Sequence, residues 1–109
     1  MSIKPVVPRD KARGDIEEAI EYYLREAGGQ VALGFIDAVE NAFQAIAAYP
    51  SAGTPRYAHE LDLPGLRCKY LKNYPHIVFY VETGDRIDVW RVLHAHRDIP
   101  AWMRVTEDE

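Results

Sequence analysis

Hydrophobic positions in the first half of the chain recur at intervals of three and four residues. The first such stripe spans residues 12–27, and glutamates occupy the opposite side. It predicts an amphipathic helix with Asp10 as N-cap, which ends at the glycine pair Gly28–Gly29. A second stripe predicts another helix over about residues 30–49, which Pro50 ends. Because so few residues separate them, the two helices are expected to form an antiparallel hairpin.

The last third of the chain is instead rich in β-branched and aromatic residues. It predicts strands at 66–71, 76–82 and 86–94. The segments between them are short enough for β-hairpins, so the three strands are expected to form an antiparallel meander.

The remaining segments complete the predicted order of elements. Ile3–Val7 is a short β-branched run interrupted by Pro5, which is typical of an edge strand. Residues 50–65 are rich in Pro and Gly and predict a loop. Asp98 is expected to cap a short final helix with Pro100 in its first turn. The order β-α-α-β-β-β plus a short helix predicts an α+β domain, with the helical hairpin on one face of a mainly antiparallel sheet.

Length and composition restrict the class of protein. A chain of 109 residues, of which 48% are hydrophobic and 28% charged, fits a single domain with its own core, residues 1–109. We expect no membrane-spanning segment, since no run of residues is continuously apolar over the roughly 20 residues required, and no secretory signal is visible. The single cysteine, Cys68, excludes an internal disulfide and favours a reducing cytoplasm.

Charge is unevenly distributed along the chain. The net charge of −4 argues against broad binding to a nucleic-acid backbone. Residues 1–64 carry six Lys/Arg against ten Asp/Glu, whereas residues 65–104 carry seven against four. The second half therefore has basic character, which favours an acidic protein segment as partner.

Metal binding and nucleophilic catalysis have little support in the sequence. His94 and His96 would share one face of a strand, but the other histidines lie in separate segments and no standard ligand spacing is completed. Cys68 alternates with Leu66 and Tyr70, as expected of a buried core thiol. Gly-rich phosphate loops and nucleophile-elbow motifs are missing from the sequence.

The basic residues of the strands are more informative. Arg67 and Lys69 alternate on one strand and therefore share a face, while Arg91 lies on the last strand and Arg97 just after it. Since the helical hairpin covers only one face of the sheet, the other face is expected to carry a basic, partly apolar groove. Such a groove fits an acidic peptide or a phosphate chain. The alternative is that these charges only solvate an exposed sheet face.

The order of elements resembles the ParE/RelE superfamily of bacterial toxins from toxin–antitoxin pairs. "ARGDIEEAIEYY" is similar to the first helix of the family, with its Ala-x-x-Asp-aliphatic opening. "YPSAGTPR" is similar to the exit of the second helix, and "IVFYV" with "IDVWRVLHAHRD" to the closing strands. The resemblance implies one of two functions. RelE-like members are metal-independent, ribosome-dependent ribonucleases, whereas ParE-like members trap DNA gyrase on broken DNA; an antitoxin neutralises both.

Individual positions favour the ParE-like branch. By resemblance, Arg67 and Lys69 fall where RelE-like toxins place paired lysines, and Arg97 falls at a catalytic arginine. His76, however, replaces an expected arginine, and the last helix offers Trp102 and Met103 instead of a tyrosine. An indole cannot act as a general acid or base, so only a histidine of the His94/His96 pair remains for that role.

We therefore expect a ParE-type toxin of the cytoplasm that inhibits DNA gyrase and forms a hetero-oligomer with a ParD-like antitoxin. The interpretation includes no catalytic residue, cofactor, metal, small-molecule substrate, membrane contact or sequence-specific nucleic-acid binding. The expected gyrase contacts are Trp102 and Met103. A RelE-like nuclease and an inactive antitoxin-binding module remain open as alternatives. The expected antitoxin contacts are Arg67, Lys69, Arg91 and Arg97.

Overall fold

A computed structural model describes residues 3–107, with side chains described as far as Met103. The described elements, in chain order, are β1 (Val6–Pro8), α1 (Asp10–Glu26), α2 (Gly29–Ala48), a 3-10 turn (Pro50–Ala52), α3 (Arg56–Glu60), β2 (Leu66–Tyr70), β3 (His76–Glu82), β4 (Ile87–His94) and α4 (Ile99–Glu107).

The four described strands form one sheet in the order β1-β4-β3-β2. β1 runs parallel to β4, while β2–β3 and β3–β4 are antiparallel. The predicted α+β class, the antiparallel meander and the edge position of the first strand are therefore confirmed. β1 begins three residues later than predicted, and the predicted loop at 50–65 contains the 3-10 turn and α3.

The helical hairpin covers one face of the sheet, as the apolar stripes predicted. Phe35, Val39 and Ile46 of α2 pack with Val78, Tyr80 and Val89 of the sheet. The hairpin turns at Gly28, whose positive φ of 94° favours glycine. The predicted N-cap is wrong: α1 begins at Asp10 itself, Arg9 precedes it in extended conformation, and no side chain caps it.

The second face of the sheet is also covered, which corrects the expectation of an open basic groove. α3, the segment after it, and α4 pack here against the opposite side of β2, β3 and β4. Asp98 caps α4 as predicted, since its Oδ1 accepts a hydrogen bond from the Ala101 N–H at 3.3 Å. The sheet therefore lies between two layers of helix. Buried residues of this second core are Leu63, Leu66, Cys68, Ile77, Phe79, Leu93, Ile99 and Met103.

A β-bulge interrupts the alternation of β4. Phe79 pairs with Arg91 whereas the next residue, Tyr80, pairs with Val89, so Trp90 is the extra residue. The alternation of side chains between the two faces of the sheet is therefore reversed after Trp90. Ile87 and Val89 face the helical hairpin, and so does Val92. Arg91 consequently lies opposite Phe79 and away from the hairpin core.

α2 is, by length and composition alone, apolar enough to cross a membrane. In this domain six of its residues are buried, most of them in the core against the sheet, whereas Val31 and Leu33 are exposed. A core helix of a globular domain meets the same criteria of length and composition. The Cα radius of gyration, 13.6 Å, is that of a compact domain of this size.

Candidate functional site

Arg67 and Lys69 share a face of β2, as predicted, but it is the face toward the helical hairpin. Arg67 lies opposite Tyr80, and Lys69 lies opposite Val78. Both partners belong to the hairpin core. Because β2 is the outer strand, the two cationic side chains lie at the margin of this core and remain partly exposed.

Around them lies a surface that we term the β2-edge patch: Arg56, Arg67, Lys69, Tyr49 and Tyr70. The Arg67 Nη1 donates to the Gly53 carbonyl at 2.7 Å, and the Arg56 Nη1 lies 3.4 Å from the Tyr70 hydroxyl. Tyr49 is 73% exposed and Tyr70 48%. Among residues 3–103, neither Arg56 nor Lys69 has an acidic partner within ion-pair distance. The patch thus combines unneutralised cations with exposed aromatic rings.

Arg91 occupies a different environment, since it is 4% exposed and ion-paired. Its Nη2 and Nε lie 2.6 and 2.8 Å from the Asp15 carboxylate oxygens. The Asp15 Oδ2 also accepts the Val92 N–H at 3.0 Å. Asp15 therefore ties α1 to β4. The Ala-x-x-Asp-aliphatic motif included Asp15, but the sequence did not predict Arg91 as its partner, because the bulge that orients Arg91 leaves no signal in the sequence.

A second surface, the C-terminal cleft, lies between α1, the adjoining ends of β3 and β4, and the start of α4. Its volume is about 510 Å³. Arg97 stacks on Trp102 at its mouth, with the guanidinium carbon 4.3 Å from the ring centroid. Other lining residues are Asp15, Glu18, Tyr22, Tyr23, His76, Val92 and His94.

The two residues expected to contact gyrase differ in exposure. Met103 is 1% exposed and packs in the second core. Trp102 is only partly buried; besides Arg97, it has Arg91 5.2 Å from its ring centroid. In this conformation Met103 anchors α4 to the sheet, and Trp102 is the residue that a partner can reach.

Three of the four histidines, His76, His94 and His96, form a row at the same end of the sheet. The ring centroids of His76 and His94 lie 5.3 Å apart, and those of His94 and His96 lie 5.1 Å apart. The His96 N–H donates to the His94 Nδ1 at 3.1 Å. Within the described part of the chain, no group of three or more His, Cys, Asp or Glu residues is placed to hold a metal ion.

Burial shifts the pKa values of His76 and Cys68 and thereby determines their protonation. Burial, with smaller contributions from His94 and Arg97, lowers the pKa of His76 to about 4. The His76 Nδ1 is buried and lacks a hydrogen-bond partner among the described residues. Burial also raises the pKa of the Cys68 thiol to about 11. Cys68 is therefore a protonated core residue, as the sequence predicted, and not a nucleophile.

The depressed pKa of His76 makes stability depend on pH. The unfolded chain, with a histidine pKa near 6.5, binds more protons than the folded one between about pH 6.5 and 4. The stability that comes from keeping His76 neutral is fully present above about pH 6.5 and is lost as the pH falls toward about 4. We expect this residue to contribute about 1–2 kcal/mol, because solvent in the cleft screens part of the shift.

Urea unfolding at pH 7.5 and at pH 4.5 measures this contribution. Acid also protonates carboxylates, so the relevant quantity is the difference between the wild type and His76→Phe, which keeps an aromatic ring among Tyr23 and Phe35 but cannot titrate. The variant should lose less stability on acidification. Equal losses would show that His76 does not titrate in this range.

Solved structures contain the same architecture. Residues forming 84% of this chain superpose on 96% of a chain from the structure described as "Chromosomal ParDE TA system from P. aeruginosa", with a TM-score of 0.71 and 18% identity. At that identity the likeness shows the fold: an α+β domain in which a helical hairpin packs on a four-stranded sheet.

The family model for the "ParE toxin of type II toxin-antitoxin system, parDE" matches residues 6–99. This chain therefore belongs to the ParE toxin family of type II toxin–antitoxin systems, as the sequence motifs indicated. A comparison with curated protein sequences gives no significant match.

Proposed function

We propose that this ParE-family toxin acts in the cytoplasm by binding DNA gyrase and trapping it on broken DNA, and that a ParD-like antitoxin holds it inactive. The observation that supports a binding function is a group of cations at the exposed margins that have no acidic partner among the described residues: Arg56, Lys69 and Arg97. These residues border aromatic rings, and this combination is typical of protein interfaces. The proposed mechanism is association, without bond-breaking chemistry by the toxin itself.

The decisive experiment presents the purified chain with both candidate targets. Gyrase with supercoiled plasmid and ATP should accumulate linear DNA when the toxin is added. Translating ribosomes on a defined mRNA should show no toxin-dependent cleavage. Cleavage at the ribosome without an effect on gyrase would overturn the proposal in favour of a RelE-like nuclease, for which His94 and His96 beside Arg97 are the candidate residues. No effect on either target would leave an inactive antitoxin-binding module.

For the antitoxin, we propose that the β2-edge patch and Arg97 receive acidic side chains. Arg67 and Lys69 belong to this surface, although Arg67 also orders the Gly53 loop. Of the four expected contact residues, Arg91 is already paired with Asp15, so its contribution would be to position the strand and Trp102. Charges of this kind affect specificity and association rate as well as affinity.

Substitution of Arg97 tests the antitoxin surface. We expect Arg97→Ala to weaken the complex with the product of the adjacent reading frame by about 1–3 kcal/mol, if the arginine pairs in a desolvated site. Lys69→Ala should act in the same direction. Calorimetric titration provides the affinities, and Arg86→Ala, an exposed cation at the turn between β3 and β4, is the control. Affinities equal to that of the control would remove Arg97 and Lys69 from the interface.

For gyrase, we propose Trp102 as the contact, with Met103 holding α4 in place. Trp102→Ala should then reduce linear DNA in the gyrase assay while the antitoxin still binds. A variant that keeps both activities would assign Trp102 to packing alone.

A further inference from the structure

Both outer edges of the sheet are closed to an added strand. In β1, Pro5 O accepts from the Ile87 N–H and the Arg9 N–H donates to Val89 O, so Val6 and Pro8 face outward. Pro8 has no N–H, which blocks pairing on that side. On the opposite edge, Cys68 of β2 exchanges both backbone hydrogen bonds with Thr54. The outer edges therefore offer little unpaired backbone.

An internal edge remains open where β1 ends. β1 pairs with β4 only over Ile87–Val89. Beyond this point the Val92 N–H is bonded to Asp15, so the backbone N–H and C=O of Val92 point away from β3. Since the direction of the backbone groups alternates along a strand, those of His94 point the same way. The Ala95 N–H agrees with this alternation, since it points toward β3 and donates to the Pro75 carbonyl.

On this edge the Val92 carbonyl and the His94 N–H have no backbone partner among the described residues, whereas the His94 carbonyl already accepts the Arg97 N–H. Both residues line the C-terminal cleft. A single residue of another strand can donate its N–H to one group and accept from the other only if the strand runs parallel to β4. The added strand would therefore lie in line with β1, on the same side of β4 and in the same parallel orientation.

We propose that the C-terminal cleft binds a short, extended, acidic segment of the antitoxin as a parallel strand added to β4, with one residue bridging Val92 and His94. This inference rests on the proposed function, since it assigns the partner of the toxin to a defined position. Strand addition to an exposed edge is a common mode of peptide recognition. The cleft volume of about 510 Å³ accommodates roughly three or four residues.

The charges that line the cleft favour an acidic segment. Asp15 is neutralised by Arg91, and Arg97 has no acidic partner among the described residues. Stacking on Trp102 holds the Arg97 guanidinium in place, which pre-orders its N–H groups for a carboxylate. Glu18 is the remaining described carboxylate in the lining, on the α1 wall. Acidic side chains are therefore expected toward Arg97, and apolar ones toward Tyr22 and Tyr23.

Backbone methylation of a peptide tests strand addition without changing the protein. The probe is the capped pentapeptide Ac-Glu-Val-Asp-Leu-Glu-NH2, with five analogues that are each N-methylated at one residue. Amide NMR spectra of the ¹⁵N-labelled toxin report binding, with the His94 amide as marker. We expect one analogue to bind at least about tenfold more weakly than the parent, whereas its two neighbours change less than about threefold. Arg97→Gln should also weaken the parent peptide by about tenfold, and Arg86→Gln should not.

Three results would overturn the proposal: no binding of the parent peptide, equal affinities across the methylated series, or a His94 amide that is unperturbed in the complex. A toxin that is already dimeric, with the His94 amide protected before peptide is added, would show that a second copy fills the cleft. The assay uses neither gyrase nor toxicity. Failure here beside a positive gyrase assay would therefore reject strand addition alone, and the converse would reject only the gyrase target.

Discussion

Replacing Asp15 with alanine is expected to destabilise the domain by about 3–5 kcal/mol, a large part of the stability of a chain this size. The substitution leaves the Arg91 side chain, which is 5% exposed, buried without the Asp15 carboxylate. It also removes the acceptor of the Val92 N–H. An uncompensated buried charge and an unsatisfied amide are both costly, and here they arise together. Urea unfolding followed by circular dichroism measures the change.

Two further variants make this result specific. Glu26→Ala breaks the exposed pair Arg25–Glu26, whose side chains are 67% and 55% exposed, and should cost less than about 0.5 kcal/mol. The double variant Asp15→Leu with Arg91→Leu should be more stable than Asp15→Ala, because no lone charge remains buried. An Asp15→Ala variant as stable as Glu26→Ala would mean that the ion pair contributes nothing to the fold.

The second large effect is expected at Gly53. A methyl group there would overlap the hydroxyl of Tyr80 and lie 2.9 Å from its Cζ and 3.1 Å from the Cys68 carbonyl. Tyr80 cannot move aside, because it is fully buried and donates to the Pro50 carbonyl at 2.7 Å. Gly53→Ala should therefore destabilise the domain by about 2–3 kcal/mol through overpacking and loss of that hydrogen bond.

Gly14 provides the matched control, since a methyl group there contacts nothing within 4 Å. Gly14→Ala in the middle of α1 should stabilise the domain by up to about 1 kcal/mol, so the same chemical change has opposite signs at the two sites. Adding Tyr80→Phe to Gly53→Ala removes the overlapping oxygen, and the pair should be less destabilised than the sum of the single variants. Strict additivity would contradict the proposed clash.

Periodic patterns were sufficient to predict α1, α2 and the three-stranded meander, since each element buries a regular face. They failed where burial depends on contacts between distant segments. The Pro- and Gly-rich segment contains α3 and, with α4, covers the second face of the sheet. Arg67 and Lys69 were therefore placed on the wrong face, although their shared orientation was predicted correctly.

The candidate site was likewise predicted only in part. Arg97 and Trp102 were identified from the sequence, but their stacking depends on the turn that leads into α4. The burial of Arg91 was missed because it depends on Asp15, which lies 76 residues away in the sequence, and on the extra residue Trp90, which turns Arg91 away from the face of Ile87 and Val89. Asp15 was seen only as part of a helix, because its partners Arg91 and Val92 are far away in the sequence.

The bulge at Trp90 gives β4 one residue more than its pairing with β3 requires. Deleting Trp90 would restore a uniform alternation and leave every later side chain on its present face, because Arg91 would follow Val89 directly. The arginine that meets Asp15 would still point away from the apolar hairpin core, and Val92 would still point into it. Straightening β4 without a deletion would instead exchange the two faces of the strand end that leads into α4. Natural relatives should therefore tolerate the loss of one residue at this position, but not the loss of the bulge at constant strand length.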